Sequence, residues 1–395
     1  MNASRSIFSE LTPSGRGGIS TIALLGPDVY EILGLIFVGR RAAALRPGQL
    51  VYGRVVAGDG RTIDEVVVCP VSDPGEAAEV EIHCHGGPAP VAALAARLSA
   101  LGLEHVDWPE YLKRRAAARG ASRIELEAEL LLPHLATLPA AMLVVRQRNG
   151  LLAEAVERAR GLIASGRPEA ARAALERLLA AYESIGRRIE RPPRVAILGA
   201  PNVGKSSLLN RLVGRERAIV TEVPGTTRDV VTETSDLDGL PAVLADTAGL
   251  RETGDLVEQL GVERARAEAL QADVLLYLVD LSRPASVDEE KWIRERPARA
   301  MVVGTKADLV RPAGGLPAWV DVATSAVTGE GLQELRSRIL VLLGFRWPGP
   351  DEAVPFTSRQ AEQLRAACEA LAGGRAAAAG AALHELASAP PQAQR

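Results

Sequence analysis

Cysteine is scarce in this sequence: Cys69, Cys84 and Cys368 are the whole complement, and no two stand in a Cys-x-x-Cys spacing. That excludes a disulfide framework and argues against a zinc or redox site of the usual spacing. Net charge is nearly absent as well, because 46 Lys and Arg against 49 Asp and Glu leave −3. No global basic field holds a polyanion, so any contact with nucleic acid must be local. No run of about 18 uninterrupted apolar residues occurs, and residues 1–18 lack an apolar stretch behind a basic start. The chain is therefore expected to be cytoplasmic and to have no membrane partner. Lysine is the last rarity: of 46 basic residues only Lys113, Lys205, Lys291 and Lys306 are lysine. Arginine can fill most surface roles, whereas a compact ammonium at a phosphate is a special demand.

What is present is hydrophobic residue, 47% of 395, enough for the cores of about two or three domains. Residues 1–110 alternate β-rich runs (19–25, 50–57, 65–71 and 78–83) with Gly and Pro punctuation, and a helix is expected over 90–101. This predicts an α+β domain with a mostly antiparallel sheet. Strand signals then vanish over 111–191, where Leu, Ala, Glu and Arg recur at helical spacing. Residues 192–346 return to apolar strand, turn and amphipathic helix, with strands expected at 195–198, 243–245, 274–279, 301–303 and 320–323. That order reads as an α/β domain with a parallel, doubly wound sheet. A Pro-rich connector over 346–355 leads to one expected helix over 358–386, within a return segment of 356–389. The fold class expected is thus multidomain, α+β followed by all-α and α/β.

The strand at 195–198 runs straight into Gly199-Ala-Pro-Asn-Val-Gly204-Lys205-Ser206, which fits G-x-x-x-x-G-K-[ST] and opens an amphipathic helix. Backbone N–H groups of Asn202, Val203, Gly204 and the following Ser206 and Ser207 are placed to cradle phosphates. Lys205 supplies charge to the β and γ oxygens, and the Ser206 hydroxyl is a Mg²⁺ ligand candidate. Asp246-Thr-Ala-Gly249 follows another buried strand, where Asp246 can serve the Mg²⁺ shell and the Gly249 amide can meet a γ-phosphate. Thr305-Lys306-Ala307-Asp308 places a carboxylate that can accept both N1–H and N2–H₂ of guanine. Ser325-Ala326 can present a backbone N–H to guanine O6. Four motifs in this order specify a GTP-binding domain. Thr305 stands where the usual motif has Asn, which predicts a looser tie between base site and phosphate loop and weaker GTP binding.

Leu250 follows the third motif and cannot orient an attacking water as a glutamine does. Between the first and third motifs, residues 221–229 (TEVPGTTRD) offer Thr227 as a second Mg²⁺ ligand. With GAPNVGKSSLLNRLVGRERAIVTEVPGTTRDVV, DTAGLRETGDLVEQLGVERA, TPSGRGG at 12–18 and EIHCHGGP at 81–88, the chain resembles the MnmE or TrmE family of tRNA-modification GTPases. The resemblance implies a folate-type amino-terminal domain, a helical domain, a P-loop G domain inserted in it, and a return to the helices. It also implies a K⁺-stimulated GTPase in which the Asn202 side chain and the carbonyls of Thr221, Val223 and Thr226 hold the ion. Glu258 would position the water, with Lys205, Gly249 and Thr227 completing the catalytic set. Implied partners are a second copy of the chain, a flavoprotein and tRNA, and the implied reaction is at the wobble uridine.

Departures from the family pattern bear on the folate donor. Residues 106–117 (VDWPEYLKRRAA) replace the family's R-P-G-E-F/T segment, and 73–79 (DPGEAAE) replace its F-T-G-E-D. The family's terminal F-C-I-G-K is not matched, so formyl-tetrahydrofolate is a doubtful cofactor and a regulatory GTPase switch is the alternative reading. Lys113, Arg114, Arg115 and Arg119 suit either tRNA phosphates or a solvated helix face. His83 and His85 share a strand face but find no third metal ligand at recognisable spacing.

Overall fold

A computed structural model describes residues 5–13, 15, 17–39, 45–75, 77–213, 232–246, 271–310 and 315–389. Two compact units emerge, one of residues 1–130 with 388–395 and one of 131–387.

The first unit is built on seven strands: β1 (Ile7–Glu10), β2 (Ile19–Leu25), β3 (Phe37–Gly39), β4 (Val51–Val56), β5 (Thr62–Pro70), β6 (Glu79–His85) and β7 (Glu104–His105). Their order is β3-β4-β5-β6-β2-β1-β7. Every pairing is antiparallel except β1 with β7. Alternation along the strands gives the sheet two apolar faces. Phe8, Ile22, Leu24, Val80 and Ile82 point to one face, against Leu33 and Ile36 of helix Val29–Ile36 and Leu94 and Leu98 of helix Pro88–Ala100. Ile7, Ala23 and Leu25 point to the other, against Tyr111, Leu112 and Ala116 of helix Trp108–Arg119 and against Leu126. The expected boundary at residue 110 therefore moves to Leu130, because the second face of the sheet needs that helix as its cover. Strands β1, β3 and β7 and the helix Val29–Ile36 were absent from the sequence reading, the strands being too short to show a period of their own.

The second unit combines helices with a six-stranded sheet. Its strands are β8 (Arg194–Gly199), β9 (Thr232–Leu237), β10 (Leu240–Asp246), β11 (Val274–Asp280), β12 (Ala300–Thr305) and β13 (Val322–Ala323), in the order β13-β12-β11-β8-β10-β9. All neighbours run parallel except β9, which is antiparallel to β10. The expected wholly parallel sheet is thus corrected at one edge. The cause is the two-residue turn Asp238-Gly239, with φ of 51° and 96°, the left-handed geometry of a tight hairpin.

Helices Leu152–Ala164 and Pro168–Ala181 pack together, and Ser358–Ala372 and Ala376–Ala387 pack back onto them. Residues 358–386, expected as one helix, are two. Gly374 takes a φ of 70°, and the N–H groups of Gly374 and Arg375 turn back to the Leu371 and Ala370 carbonyls at 3.0 and 2.8 Å. Cys368 is half-buried, and burial raises its thiol pKa. Among the described residues no helix is long and apolar enough to cross a membrane.

Candidate nucleotide site

Parallel strands deliver their carboxyl ends to one edge, and ligands of such sheets sit there. At the end of β8 the chain turns through Gly199 with a φ of 143°, where a Cβ would lie 2.6 Å from the Leu278 carbonyl oxygen. Only glycine fits this close approach. Asn202 follows at a φ of 59° and Gly204 at 102°, after which helix Lys205–Val213 begins. The loop is thus a strand-to-helix turn with left-handed residues, the geometry that points successive N–H groups inward. The Lys205 ammonium donates to the Gly199 and Ala200 carbonyls at 2.9 and 2.8 Å, placing its charge over the loop. Asn202, Ser206 and Ser207 are exposed there, while Val203 is buried.

The guanine motif ends β12. Thr305 is buried, and its hydroxyl donates to the Val203 carbonyl at 2.7 Å and lies 3.3 Å from that of Val279. Where a looser tie between base site and phosphate loop is expected from the loss of Asn, a hydroxyl on a shorter side chain reaches the loop directly. Lys306 has a φ of 59° and sends its ammonium to Asp280 at 2.6 Å. Asp280, at the end of β11, also accepts from the Ser282 amide and hydroxyl at 2.9 and 2.6 Å. Burial alone would raise the Asp280 pKa, but these hydrogen bonds and the ammonium outweigh it and the net shift is downward. Asp308 sits in the short turn Ala307–Leu309, and its Oδ1 accepts the Ser325 hydroxyl at 2.6 Å. Ser325 is fully buried, with its hydroxyl also accepting the N–H groups of Val327 and Thr328. The Ala326 carbonyl accepts from Arg211.

The structure therefore brings together the phosphate loop, Thr305, Lys306, Asp308, Ser325 and Ala326. Asp246 closes β10 in register with Ile197 of β8, so its backbone lies beside the loop. Thr221, Val223, Thr226, Thr227, Gly249, Leu250 and Glu258 lie outside the described residues. Asp280 and Arg211 were missed in the sequence. Asp280 had a signal, a carboxylate closing the apolar run VLLYLV; Arg211 had none, being one arginine among many.

In the first unit, Gly17 and Gly18 meet Gly86. The Gly17 N–H donates to the Gly86 carbonyl at 3.0 Å, and the Gly86 N–H lies 3.3 Å from the Gly18 carbonyl. His85 bonds Asp64 at 2.7 Å and His83 bonds the Thr21 hydroxyl at 2.9 Å, so the two histidines serve different strands. The replaced segments meet each other. Glu79 is buried and accepts from the Tyr111 hydroxyl at 2.9 Å, pairs with Arg115 at 3.1 Å, and pairs with Arg119. Arg114 pairs with Glu104 and Glu110, and Lys113 stands 3.7 Å from Glu110. The basic run at 113–119 is thus engaged with carboxylates on a partly exposed helix face.

Residues 6–120 match the family described as GTP-binding protein TrmE N-terminus, and residues 194–306 match a family described as 50S ribosome-binding GTPase. The chain is 38% identical over 407 residues to a tRNA modification GTPase MnmE of Chloroflexus aurantiacus, covering 92% of this chain and 89% of that one. It is 34% identical to the protein of that name from Roseiflexus castenholzii, covering 91% and 87%. Against the one from Thermus thermophilus it is 34% identical, covering 94% and 89%.

Proposed function

The chain belongs to the MnmE family of tRNA modification GTPases, and from that premise we propose that it hydrolyses GTP, with K⁺ stimulation, in modifying the wobble uridine of tRNA in the cytoplasm. The observation that carries the reading is a guanine motif bonded to a phosphate loop, Thr305 to Val203, in a chain similar to such enzymes over more than nine-tenths of its length. That breadth includes the TrmE-type domain and supports modification over a bare regulatory switch.

In this reading the second unit is a G domain set into a helical domain, with the helices of 152–181 and 358–387 closing around the insertion. Asp308 accepts N1–H and N2–H₂ of guanine, held in aim by Ser325, and the Ala326 N–H meets O6. Lys306 is held by Asp280. Lys205 and the loop N–H groups of Asn202, Val203, Gly204, Ser206 and Ser207 hold the phosphates, in a strand-to-helix turn whose left-handed residues suit an anion. Ser206, with Thr227 and Asp246, is the set for Mg²⁺, whose role when bound is to neutralise β and γ oxygens. Asn202 is exposed on the loop, and its side chain would hold K⁺ together with the carbonyls that the family resemblance assigns to Thr221, Val223 and Thr226. An ion held there would supply the positive charge that an arginine finger supplies elsewhere, while Gly249 would meet the γ-phosphate and Glu258 would orient the water that Leu250 cannot.

The partners in this reading are a second copy of the chain, a flavoprotein and tRNA. Formyl-tetrahydrofolate fits poorly. Gly17 and Gly18 are joined to Gly86, but the two replaced segments spend their polar groups on one another at Glu79.

The decisive measurement is nucleoside analysis of tRNA from cells lacking the gene, where the modified wobble uridine is expected to vanish. Its persistence would overturn the reading. GTP hydrolysis is expected to run several-fold faster in K⁺ than in Na⁺ at matched ionic strength, on the order of 1 kcal/mol in the barrier, and Asn202→Ala to erase the difference. Equal rates for the unaltered protein would sink the K⁺ assignment alone.

A further inference from the structure

Arg211 lies in the last turn of helix Lys205–Val213, two turns beyond the phosphate loop. Its guanidinium acts as a fork: Nε donates to the Ala326 carbonyl and Nη2 to the Val327 carbonyl, each at 2.7 Å. A planar fork on two consecutive carbonyls fixes orientation as well as distance, which a lysine at the same place cannot do.

The gripped turn is the one that serves the base. Ser325 sends its N–H to the Glu330 carbonyl at 3.0 Å and accepts the Gly329 N–H at 2.9 Å, so the turn is closed on itself. The peptide between Ala326 and Val327 is held on both sides, its carbonyl by Arg211 and its N–H by the Ser325 hydroxyl at 3.2 Å. That same hydroxyl donates to Asp308 at 2.6 Å. A path of hydrogen bonds thus runs from the phosphate helix through Arg211 and Ser325 to the carboxylate that reads guanine. Thr305 makes a second tie, from the end of β12 to Val203. The base site is anchored at two points to one segment, 203–211.

We propose that Arg211 is a positioning residue that sets guanine selectivity, holding the Ser325-Ala326 turn and through it Asp308 in register with the phosphate loop. The inference rests on the reading that Asp308 and Ala326 take the guanine. Arg211 touches no substrate in this arrangement, so its loss weakens base recognition and leaves the chemistry at the γ-phosphate intact.

The test measures binding of GDP, IDP and ADP to the full chain carrying Arg211→Ala, Arg211→Lys or no change, with kcat for GTP and the thermal midpoint of each. IDP keeps O6 and N1–H but lacks the N2 amine, so a mis-aimed Asp308 loses less with IDP than with GDP. Arg211→Ala is expected to weaken GDP about five- to tenfold, the loss of about one net hydrogen bond. The preference for GDP over IDP should narrow, kcat should stay within about twofold, and Arg211→Lys should recover part of the loss through a single bond. Unchanged GDP binding and an unchanged GDP-to-IDP ratio overturn the proposal, as does equal weakening of both with a lowered midpoint, which marks a structural role only. Should Arg211→Ala fail to fold, Arg211→Lys decides by the same ratio. If the unaltered protein fails to prefer GDP to ADP, the guanine-site reading itself falls; if that preference holds and the ratio does not move, only the role of Arg211 falls.

Discussion

In the second unit Asp280 closes β11 and meets the Lys306 ammonium, which follows the adjacent parallel strand β12. In the first unit Glu79 opens β6 and meets Tyr111, Arg115 and Arg119, all on a helix that lies three elements further along the chain. Both carboxylates are buried at the end of an interior strand of their sheet, and both are paired with cations. Asp280 stands at the candidate nucleotide site because parallel strands bring their carboxyl ends to one rim, where charges can serve a ligand. Glu79 belongs to a seam, because a sheet with two apolar faces needs a cover on each, and the carboxylate fastens one cover down. Similar chemistry thus supports recognition in one region and attachment in the other.

Breaking the recognition side should have the largest effect. Asp308→Asn removes the acceptor for two guanine donors and should weaken GTP on the order of 10³-fold while admitting xanthosine triphosphate. Competition binding with both nucleotides checks this, and ATP as tight a ligand as GTP for the unaltered protein would contradict the four-motif reading.

The seam makes the next prediction. With 73–79 and 106–117 interlocked at Glu79, reduced formyl-folate should bind about 10²- to 10³-fold more weakly than a micromolar site would, for want of pocket walls and polar partners. Titration calorimetry reads this directly, and a micromolar dissociation constant would show that the replaced segments rebuild a pocket.

Glu79→Ala sharpens the contrast. It strands Arg115, Arg119 and the Tyr111 hydroxyl, and should cost about 2–4 kcal/mol, reduced from a fully buried pair because the arginines keep 24% and 37% of their exposure. Denaturant unfolding should show the loss while GTP affinity holds; an equal fall in GTP affinity would mean that the seam and the site are not separable. The smallest effect is expected from Thr305→Val, which keeps the shape and deletes the hydroxyl donated to Val203, weakening GTP about fivefold. No change would show that Thr305 fills space only.

The order of motifs, Lys205 after its glycines, Asp308 after its lysine and Ser325 before its alanine, was legible because each is a local string beside a buried strand. The period of the helices and the apolar strands was legible for the same reason: side-chain periodicity is a local property of the backbone. The hairpin at Asp238-Gly239 was legible in principle from its Asp-Gly pair. Other features needed the folded chain. Thr305 reaching Val203, Arg211 reaching Ala326, Glu79 meeting Arg119, and the helix Trp108–Arg119 joining the first unit all join residues distant in sequence. No local pattern encodes such a partner, because a side chain's donor or charge names only the kind of group it needs, and packing decides which group arrives.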